Sequence, residues 1–263
     1  MNSLPQFYAQ AVPFDAAVHG QLRFSQIAPE FGFAAKADVI ALMVSEVAQA
    51  VRHYPMVFLP GTGEAPPTLA VLVGLGDGVN RYVDAQGQWR AQTYIPAYVR
   101  RYPFLPMQGA SQADPILAID TTQGWIHTQA DEPLMDSATG QASPRLARVV
   151  AFLQEYEQQS NRTQDMCAAL HAAAVLEPRT LTWLDQATNE TRQLDGFWCV
   201  DEAKLKGLSA ESLHTLHQAD ALGMAYAQLL SMSNLQDLVA AALTLPTQVQ
   251  KPLRKKKAAG SAR

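Results

Sequence analysis

The chain has 263 residues, of which 48% are hydrophobic and 17% are charged, and its formal net charge is −4. This composition is typical of a globular protein with a sizeable core, and it excludes general disorder. The longest uninterrupted apolar runs are far shorter than the roughly 20 residues of a membrane-spanning helix, so we expect no transmembrane segment.

The charge is distributed unevenly along the chain. Residues 251–263 contain six lysines and arginines and no acidic residue, and removing them from the net charge of −4 leaves about −10 for residues 1–250. An acidic body disfavours nucleic-acid binding, which requires basic residues spread over a folded face. We expect a single domain over residues 1–246 and a basic, disordered tail over residues 247–263, which is the segment that would contact an anionic surface. A division of the domain into two lobes that meet near residues 130–145 is an open alternative.

The first 54 residues predict an irregular arm followed by a helix. The N-terminus lacks the basic leader and the apolar core of about 7 to 15 residues that mark a secretion signal, so a cytoplasmic location is expected. Residues 1–35 combine prolines with aromatic side chains, which indicates an arm laid over a core. Residues 36–54 place apolar residues close to helical spacing, and we predict one amphipathic helix there from Val39, Leu42, Met43, Val47 and Val51.

Short apolar runs then predict strands. "YPMVFLP" at residues 54–60 and "TLAVLVGL" at residues 68–75 suit buried strands. "NRYVDAQGQWR" at residues 80–90 predicts a hairpin, with Asp84 and Gly87 supplying the turn. The neighbouring pieces "GTGEAPP" and "GLGDGVN" lack the glycine spacing of a phosphate-binding loop, so we interpret them as turns.

The stretch "YIPAYVRRYPF", residues 94–104, lies before another predicted strand, "ILAID" at residues 116–120. Its two prolines fix their own φ and bias the preceding residues toward extended conformations, while its three tyrosine rings can pack and still satisfy their hydroxyls. These features favour a stiff, packed connection. Tyrosine and arginine are also enriched where interfaces concentrate binding energy, so a binding surface is the second interpretation, and both stay open.

The second half predicts helices and one hairpin. Ser143 before Pro144 fits a helix start, with a second helical segment continuing through Leu170. "TLTWLDQATNETRQLDGFWCVD" at residues 180–201 alternates apolar and polar residues around a polar turn and predicts a hairpin. Ser209 caps a helical region that runs to the tail. The predicted fold class is therefore α+β, with a strand-rich N-terminal half packed with a C-terminal half of helices plus one β-hairpin.

Local patterns of catalysis or metal binding do not assign any residue. The six histidines are scattered, and the close pair His214 and His217 has a spacing that any exposed helix can show. Cys167 and Cys199 are expected in a helix and a strand as buried free thiols, although a disulfide between them stays open. No G-x-S-x-G sequence is present. We therefore expect no metal and no cofactor and name no catalytic residue, because a site assembled from distant residues leaves no local signature.

An ordered series of segments resembles the SapC family of bacterial proteins. The resemblance covers nearly all of residues 10–240 in register, with the N-terminal ten residues and the tail outside it. The segments that carry it are "YPMVFLP", "LAVLVGLGDGVNRYVDAQGQW", "YIPAYVRRYPF", "EPLMDSATGQASPRL", "FLQEYEQQSNRTQDMCAAL", "LEP" and "GFWCVDEAKLKGLSAESLHTLHQADALGMAYAQLLSMSNLQDLV".

The resemblance implies a protein that its family name links to bacterial paracrystalline surface layers, and it brings no catalytic residues. The first hypothesis is therefore a non-enzymatic interaction or structural protein of a surface layer or envelope system, with a protein partner or self-association. Because no secretion signal is expected, either the protein is exported without a cleaved signal, or it works in the cytoplasm and the surface-layer label does not describe its role. The alternative hypothesis is a cytoplasmic accessory protein or an enzyme with a dispersed site, acting in small-molecule or peptide modification.

Both hypotheses use one candidate binding set around the stretch 94–104. If Arg100 and Arg101 lie on a strand, at most one of them faces inward, because neighbouring side chains on a strand alternate between faces. A concave pocket lined by the set would favour the enzyme, whereas a flat or self-assembling surface would favour the interaction protein. The set comprises Asp77, Asn80, Asp84, Tyr98, Arg100, Arg101 and Tyr102.

Overall fold

A computed structural model describes residues 4–25, 30–108, 115–122, 126–127, 132–185 and 189–244. The predicted basic tail, residues 247–263, lies outside the described residues. The division into lobes near residues 130–145 stays a prediction.

The described residues form eleven strands and eight α-helices, which confirms the predicted α+β class. The strands are β1 Ala11–Pro13, β2 Arg23–Phe24, β3 Val39–Ala41, β4 Met56–Leu59, β5 Thr68–Leu72, β6 Phe104–Gln108, β7 Pro115–Asp120, β8 Ile126–His127, β9 Glu132–Pro133, β10 Leu176–Asp185 and β11 Glu190–Val200. The helices are α1 Ala16–His19, α2 Val47–Ala50, α3 Ala97–Arg100, α4 Pro144–Ala172, α5 Glu202–Lys206, α6 Ala210–Gln218, α7 Ala221–Ser231 and α8 Leu235–Thr244.

Three antiparallel sheets organise these strands. The largest has the order β10-β11-β4-β5-β3, and the two smaller sheets have the orders β1-β7-β6 and β8-β2-β9. The predicted C-terminal hairpin is β10–β11, and it joins the strands of the N-terminal half where Trp198 pairs with Phe58. The two halves of the chain thus share one sheet, and α4 and α7 pack against its strands.

The apolar runs at residues 54–60 and 68–75 are the buried strands β4 and β5, as predicted. The predicted hairpin at residues 80–90 is reduced to a single bridge between Val83 and Trp89. Its turn is formed as expected, because Asp84 accepts hydrogen bonds from the backbone N–H groups of Gln86 and Gln88.

The amphipathic helix predicted over residues 36–54 is wrong. The segment contains β3, then a short 3-10 turn at Val44–Glu46, and only one turn of α-helix in α2. β3 pairs in antiparallel register with β5, and this buries Ile40 and Leu42 completely. Apolar residues near helical spacing also suit a short strand. The segment forms a strand because β5 offers it a pairing partner.

Helix α4 is a single helix of 29 residues where the sequence indicated two segments. Ser143 caps its start as predicted, accepting a hydrogen bond from the backbone of Leu146, and Pro144 occupies the first turn. Its buried face continues without a break to Leu170. Cys167 on this helix and Cys199 on β11 are buried and free, so the expectation of free thiols is confirmed.

Gln228 of α7 bridges β11 and β4 close to the place where these two strands pair. Its fully buried side chain accepts a hydrogen bond from the backbone of Val200 (2.9 Å) and donates one to the carbonyl of Met56 (3.0 Å). Ser231, one turn later, accepts from the Met56 N–H at 2.9 Å. One helix face therefore satisfies backbone groups of both strands.

We expect the substitution Gln228→Met to lower the free energy of unfolding by about 2–4 kcal/mol, because it leaves two buried backbone groups without partners. Gln218→Met, at an exposed position of α6, is the matched control and should change it by less than about 0.5 kcal/mol. Urea unfolding of the two variants checks this, and equal midpoints would contradict the bridging role.

Candidate functional site

The stretch 94–104 forms a short helix followed by a strand. Pro96 has an extended backbone and precedes α3, Arg101 is the C-cap of α3, and β6 begins at Phe104. The two arginines therefore lie at a helix end, and the strand placement considered for them is wrong. They nonetheless face different environments, because Arg100 is exposed whereas Arg101 is only 8% exposed.

A buried carboxylate holds the start of α3. Glu46 accepts hydrogen bonds from the backbone N–H of Ala97 (2.6 Å) and from the hydroxyl of Tyr94 (2.8 Å) on one oxygen. Its other oxygen accepts from the backbone N–H of Met43 at 2.8 Å. We call this group of four residues the Glu46 clamp. Burial raises the pKa of the Glu46 carboxyl above its ordinary value, although these hydrogen bonds oppose the shift.

The guanidinium of Arg101 lies among three tyrosine rings. Its central carbon is 4.0 Å from the ring centroid of Tyr98, 4.9 Å from that of Tyr156 and 5.5 Å from that of Tyr8. These rings come from α3, α4 and the N-terminal arm. We call this arrangement the Arg101 cage, in which cation–π contacts replace the water that the cation loses on burial.

Arg100 is held at the surface by the same segment. Its Nε donates to the carbonyl of Ile95 and its Nη2 to the hydroxyl of Tyr94, both at 3.0 Å. Its guanidinium also lies over the rings of Tyr94 (5.6 Å) and Phe152 (5.3 Å). We call Tyr94, Arg100 and Phe152 the Arg100 platform. Among the described residues, no hydrogen bond uses its Nη1 group, so this fixed cation still offers donors to solvent or to a partner.

Tyr98 and Tyr102 anchor the stretch to the N-terminal arm. The Tyr98 hydroxyl donates to the carbonyl of Gln6 at 3.3 Å. The ring of Tyr102 is buried and stacks on Phe33, with 4.2 Å between the centroids. Burial raises the pKa of Tyr102 to about 12. This hydroxyl therefore stays protonated near neutral pH, which suits packing and hydrogen bonding rather than proton abstraction.

The three remaining candidates have partners in the turns between residues 76 and 88. Asp77 forms an ion pair with Arg81, and Asp84 binds the backbone of its own turn. Asn80 is buried and donates its amide to the carbonyl of Ala34 at 3.1 Å. The structure thus brings Tyr98, Arg100, Arg101 and Tyr102 into one neighbourhood and gives the other three a separate one.

The turn "GLGDG" is organised by an aspartate that the sequence did not single out. Asp38 accepts hydrogen bonds from the backbone N–H groups of Gly76 (2.8 Å) and Gly78 (3.1 Å). Both glycines have positive φ, as the interpretation of this segment as a turn requires. A Cβ added at Gly74 would lie 2.4 Å from an oxygen of the same aspartate, so close approach also requires glycine there.

Burial is the largest influence on both cysteines. Burial raises the pKa of Cys167 to about 12 and that of Cys199 to about 11, which keeps both as thiols at neutral pH. Within the part of the chain that the structure describes, no three histidine, cysteine or acidic side chains are placed to hold a metal ion.

A small groove lies between β6, β7 and α4. Its volume is about 200 Å³, and it is lined mainly by apolar side chains, with Gln154 and Glu157 as the polar residues among Pro106, Ile116, Leu117, Val150 and Leu153. None of the seven candidate residues lines this groove. Pockets for small molecules are commonly about 300–1,000 Å³, so this one is small for such a ligand.

Four side chains that hold the two arginines or the start of α3 are missing from the sequence prediction. Glu46 lies in the segment predicted as a helix face, and Tyr8, Phe152 and Tyr156 are far from the two arginines along the chain. Of these residues, only Glu46 follows a local pattern: it is an acid three residues after Met43, the N-cap of a short 3-10 turn, as in a capping box.

The fold and this site together define an α+β protein in which an aromatic framework fixes two arginines, one buried and one exposed. A family model described as SapC matches residues 14–238, and the chain belongs to the SapC family. Searches of curated proteins and of solved structures each found no match. Within the described residues, no helix is long and apolar enough to span a membrane.

Proposed function

We propose that the protein is a non-enzymatic interaction or structural component of a bacterial surface layer or envelope system, and that the Arg100 platform is part of its contact surface. The family membership supports the surface-layer association, through the family name. The platform supports the interaction role and is the observation that carries it. Exposed arginines with fixed geometry are favoured in binding hot spots, because little conformational freedom is lost when they bind.

The chemistry of the platform specifies the kind of partner. The free Nη1 donors of Arg100 suit a carboxylate or a backbone carbonyl of another protein. The buried candidates Arg101 and Tyr102 hold the stretch 94–104 against Tyr8, Phe33 and Tyr156. The third buried candidate, Asn80, is bonded to the backbone of Ala34. The acidic candidates Asp77 and Asp84 are exposed, and their carboxylates already bind Arg81 and the backbone of the turn at residues 84–88.

The alternative, a cytoplasmic accessory protein or an enzyme in small-molecule or peptide modification, would need a pocket lined by candidate residues. The groove beside α4 has other lining residues and is small. Location separates the two proposals, because a surface-layer or envelope role places the protein outside the cytosol, whereas the alternative keeps it in the cytosol.

Fractionation of cells that contain the native, untagged protein tests the proposed location. We expect the protein in the envelope fraction, together with partners that copurify with it. A wholly cytosolic protein without an envelope partner would overturn the surface-layer role.

Arg100→Ala tests the contact surface itself. We expect it to weaken partner retention by roughly tenfold or more, while it lowers the free energy of unfolding by at most about 1 kcal/mol because the side chain and its contacts are exposed to solvent. Arg90→Ala is the matched control, since Arg90 is also exposed and lies over a tyrosine ring, that of Tyr82 at 5.9 Å. Equal retention by the two variants in a quantitative pull-down would exclude the platform from the interface.

A further inference from the structure

Strand β10 forms an edge of the five-stranded sheet. Among the described strands it pairs with β11 alone, whereas the opposite edge, β3, receives a hydrogen bond from the side chain of Gln6 to the carbonyl of Val39. An edge strand presents backbone donors and acceptors that can pair with another chain. β10 has ten residues, which makes it a long edge.

The features that usually protect an edge occupy only the beginning of β10. Pro178 lies near its start, and the pairing with β11 is irregular between Arg179 and Leu181. The rest of the strand carries β-branched, aromatic and aliphatic residues, which suit further strand pairing. Leu184 is 52% exposed there.

The sequence of this segment, "RTLTWLD" at residues 179–185, is complementary to itself in antiparallel orientation. With Thr182 opposite Thr182 of a second copy, Arg179 lies opposite Asp185 and Leu181 opposite Trp183. Each of these pairs occurs twice, because a two-fold axis passes between the threonines. Opposite-charge pairs and Thr–Thr pairs are among the cross-strand combinations that stabilise a sheet.

We propose that the protein forms a symmetric dimer in which β10 of one copy pairs antiparallel with β10 of the other, centred on Thr182. The two five-stranded sheets then join into one continuous sheet. Since the contact is isologous, it closes on itself and yields a dimer rather than a fibre.

The charges at both ends of this segment already belong to ion pairs within the chain. Arg179 pairs with Asp201 (3.2 Å) and Asp185 with Arg192 (2.7 Å). In the dimer, each Arg179–Asp185 contact extends these pairs into a network across the interface. An arginine has five N–H donors, so Arg179 can contact both carboxylates.

The inference deepens the proposed interaction role by naming a second copy of the chain as a partner. The test uses purified full-length protein without envelope material. A monomer would therefore overturn the dimer and leave the envelope proposal to its own experiment.

The first experiment is sedimentation equilibrium of the wild type and three charge variants. We expect a monomer–dimer equilibrium for the wild type, and dissociation constants at least roughly tenfold higher for Arg179→Asp and for Asp185→Arg, because each places like charges opposite one another twice. The double variant Arg179→Asp/Asp185→Arg restores opposite charges across the interface while it breaks both ion pairs within the chain. It should regain the affinity of the wild type to within about threefold, a recovery that a purely structural role cannot produce.

The second experiment is oxidative crosslinking of single-cysteine substitutions. Thr182→Cys places a thiol on the two-fold axis. Gln193→Cys is the control, because Gln193 is exposed and pairs with Thr182 on β11, one strand away from the axis. We expect a disulfide-linked dimer for Thr182→Cys at a rate at least about tenfold higher than for the control, because directly opposite residues have Cβ atoms roughly 5 Å apart. The two native cysteines are buried, so we expect only the introduced thiols to crosslink.

A wild type that stays monomeric at all concentrations would overturn the proposal. So would a dimer that does not respond to the charge variants, or equal crosslinking at positions 182 and 193. An unresponsive dimer or equal crosslinking would place the self-association on another surface.

Discussion

Glu46→Ala is expected to lower the free energy of unfolding by about 3–5 kcal/mol. The substitution removes the acceptor of three hydrogen bonds, from the backbone of Met43 and Ala97 and from the hydroxyl of Tyr94. These donors are partly or fully buried, and each loses its partner at once. Chemical denaturation followed by circular dichroism measures the loss.

The matched control is Glu46→Gln, which keeps the size of the side chain and one acceptor oxygen. It should cost about half as much as Glu46→Ala, since its amide group cannot accept from every donor. A loss below about 1 kcal/mol for Glu46→Ala would show that the start of α3 is held by packing rather than by the clamp.

The same carboxylate predicts a dependence of stability on pH. Because burial raises the pKa of Glu46 above its ordinary value of 4.5, folding favours the protonated form. Its contribution to stability is therefore complete below about pH 4.5 and is lost as the pH rises through the raised value. The unfolding free energy of the wild type relative to Glu46→Gln should accordingly fall as the pH rises above about 4.5. A difference that does not change with pH would contradict the direction of the shift.

Much of the fold could be predicted from local patterns. The strands β4 and β5 follow from short apolar runs, the hairpin β10–β11 from alternation, and the cap at Ser143 from capping chemistry, and the structure has all of them. β3 was mistaken for part of a helix, because its true partner, β5, lies about 30 residues further along the chain. Long-range pairing of this kind leaves no mark in the segment itself.

The candidate site was predictable in part of its composition but not in its geometry. The stretch 94–104 was recognised from its tyrosines, prolines and arginines, and the division of Arg100 and Arg101 between outside and inside was expected. The helix α3 was not, because its start depends on the distant carboxylate of Glu46. Likewise, Asp77 was grouped with Arg100 and Arg101, but its carboxylate forms an ion pair with the nearby Arg81.

Arg101→Ala is expected to lower the free energy of unfolding by about 3–5 kcal/mol, because it empties the Arg101 cage and removes every cation–π contact with the three rings. Arg101→Met keeps most of the volume and removes the charge, together with its desolvation cost, so its loss should be only about 1–2 kcal/mol. Equal losses in the two variants would mean that the cation itself, rather than the filled volume, stabilises the cage.

The comparison also separates the two interpretations of the stretch 94–104. If Arg101 acts only inside the protein, the Arg101→Met variant retains the envelope partner that Arg100→Ala loses. If both variants lose the partner while they stay folded, the buried arginine is part of the binding site.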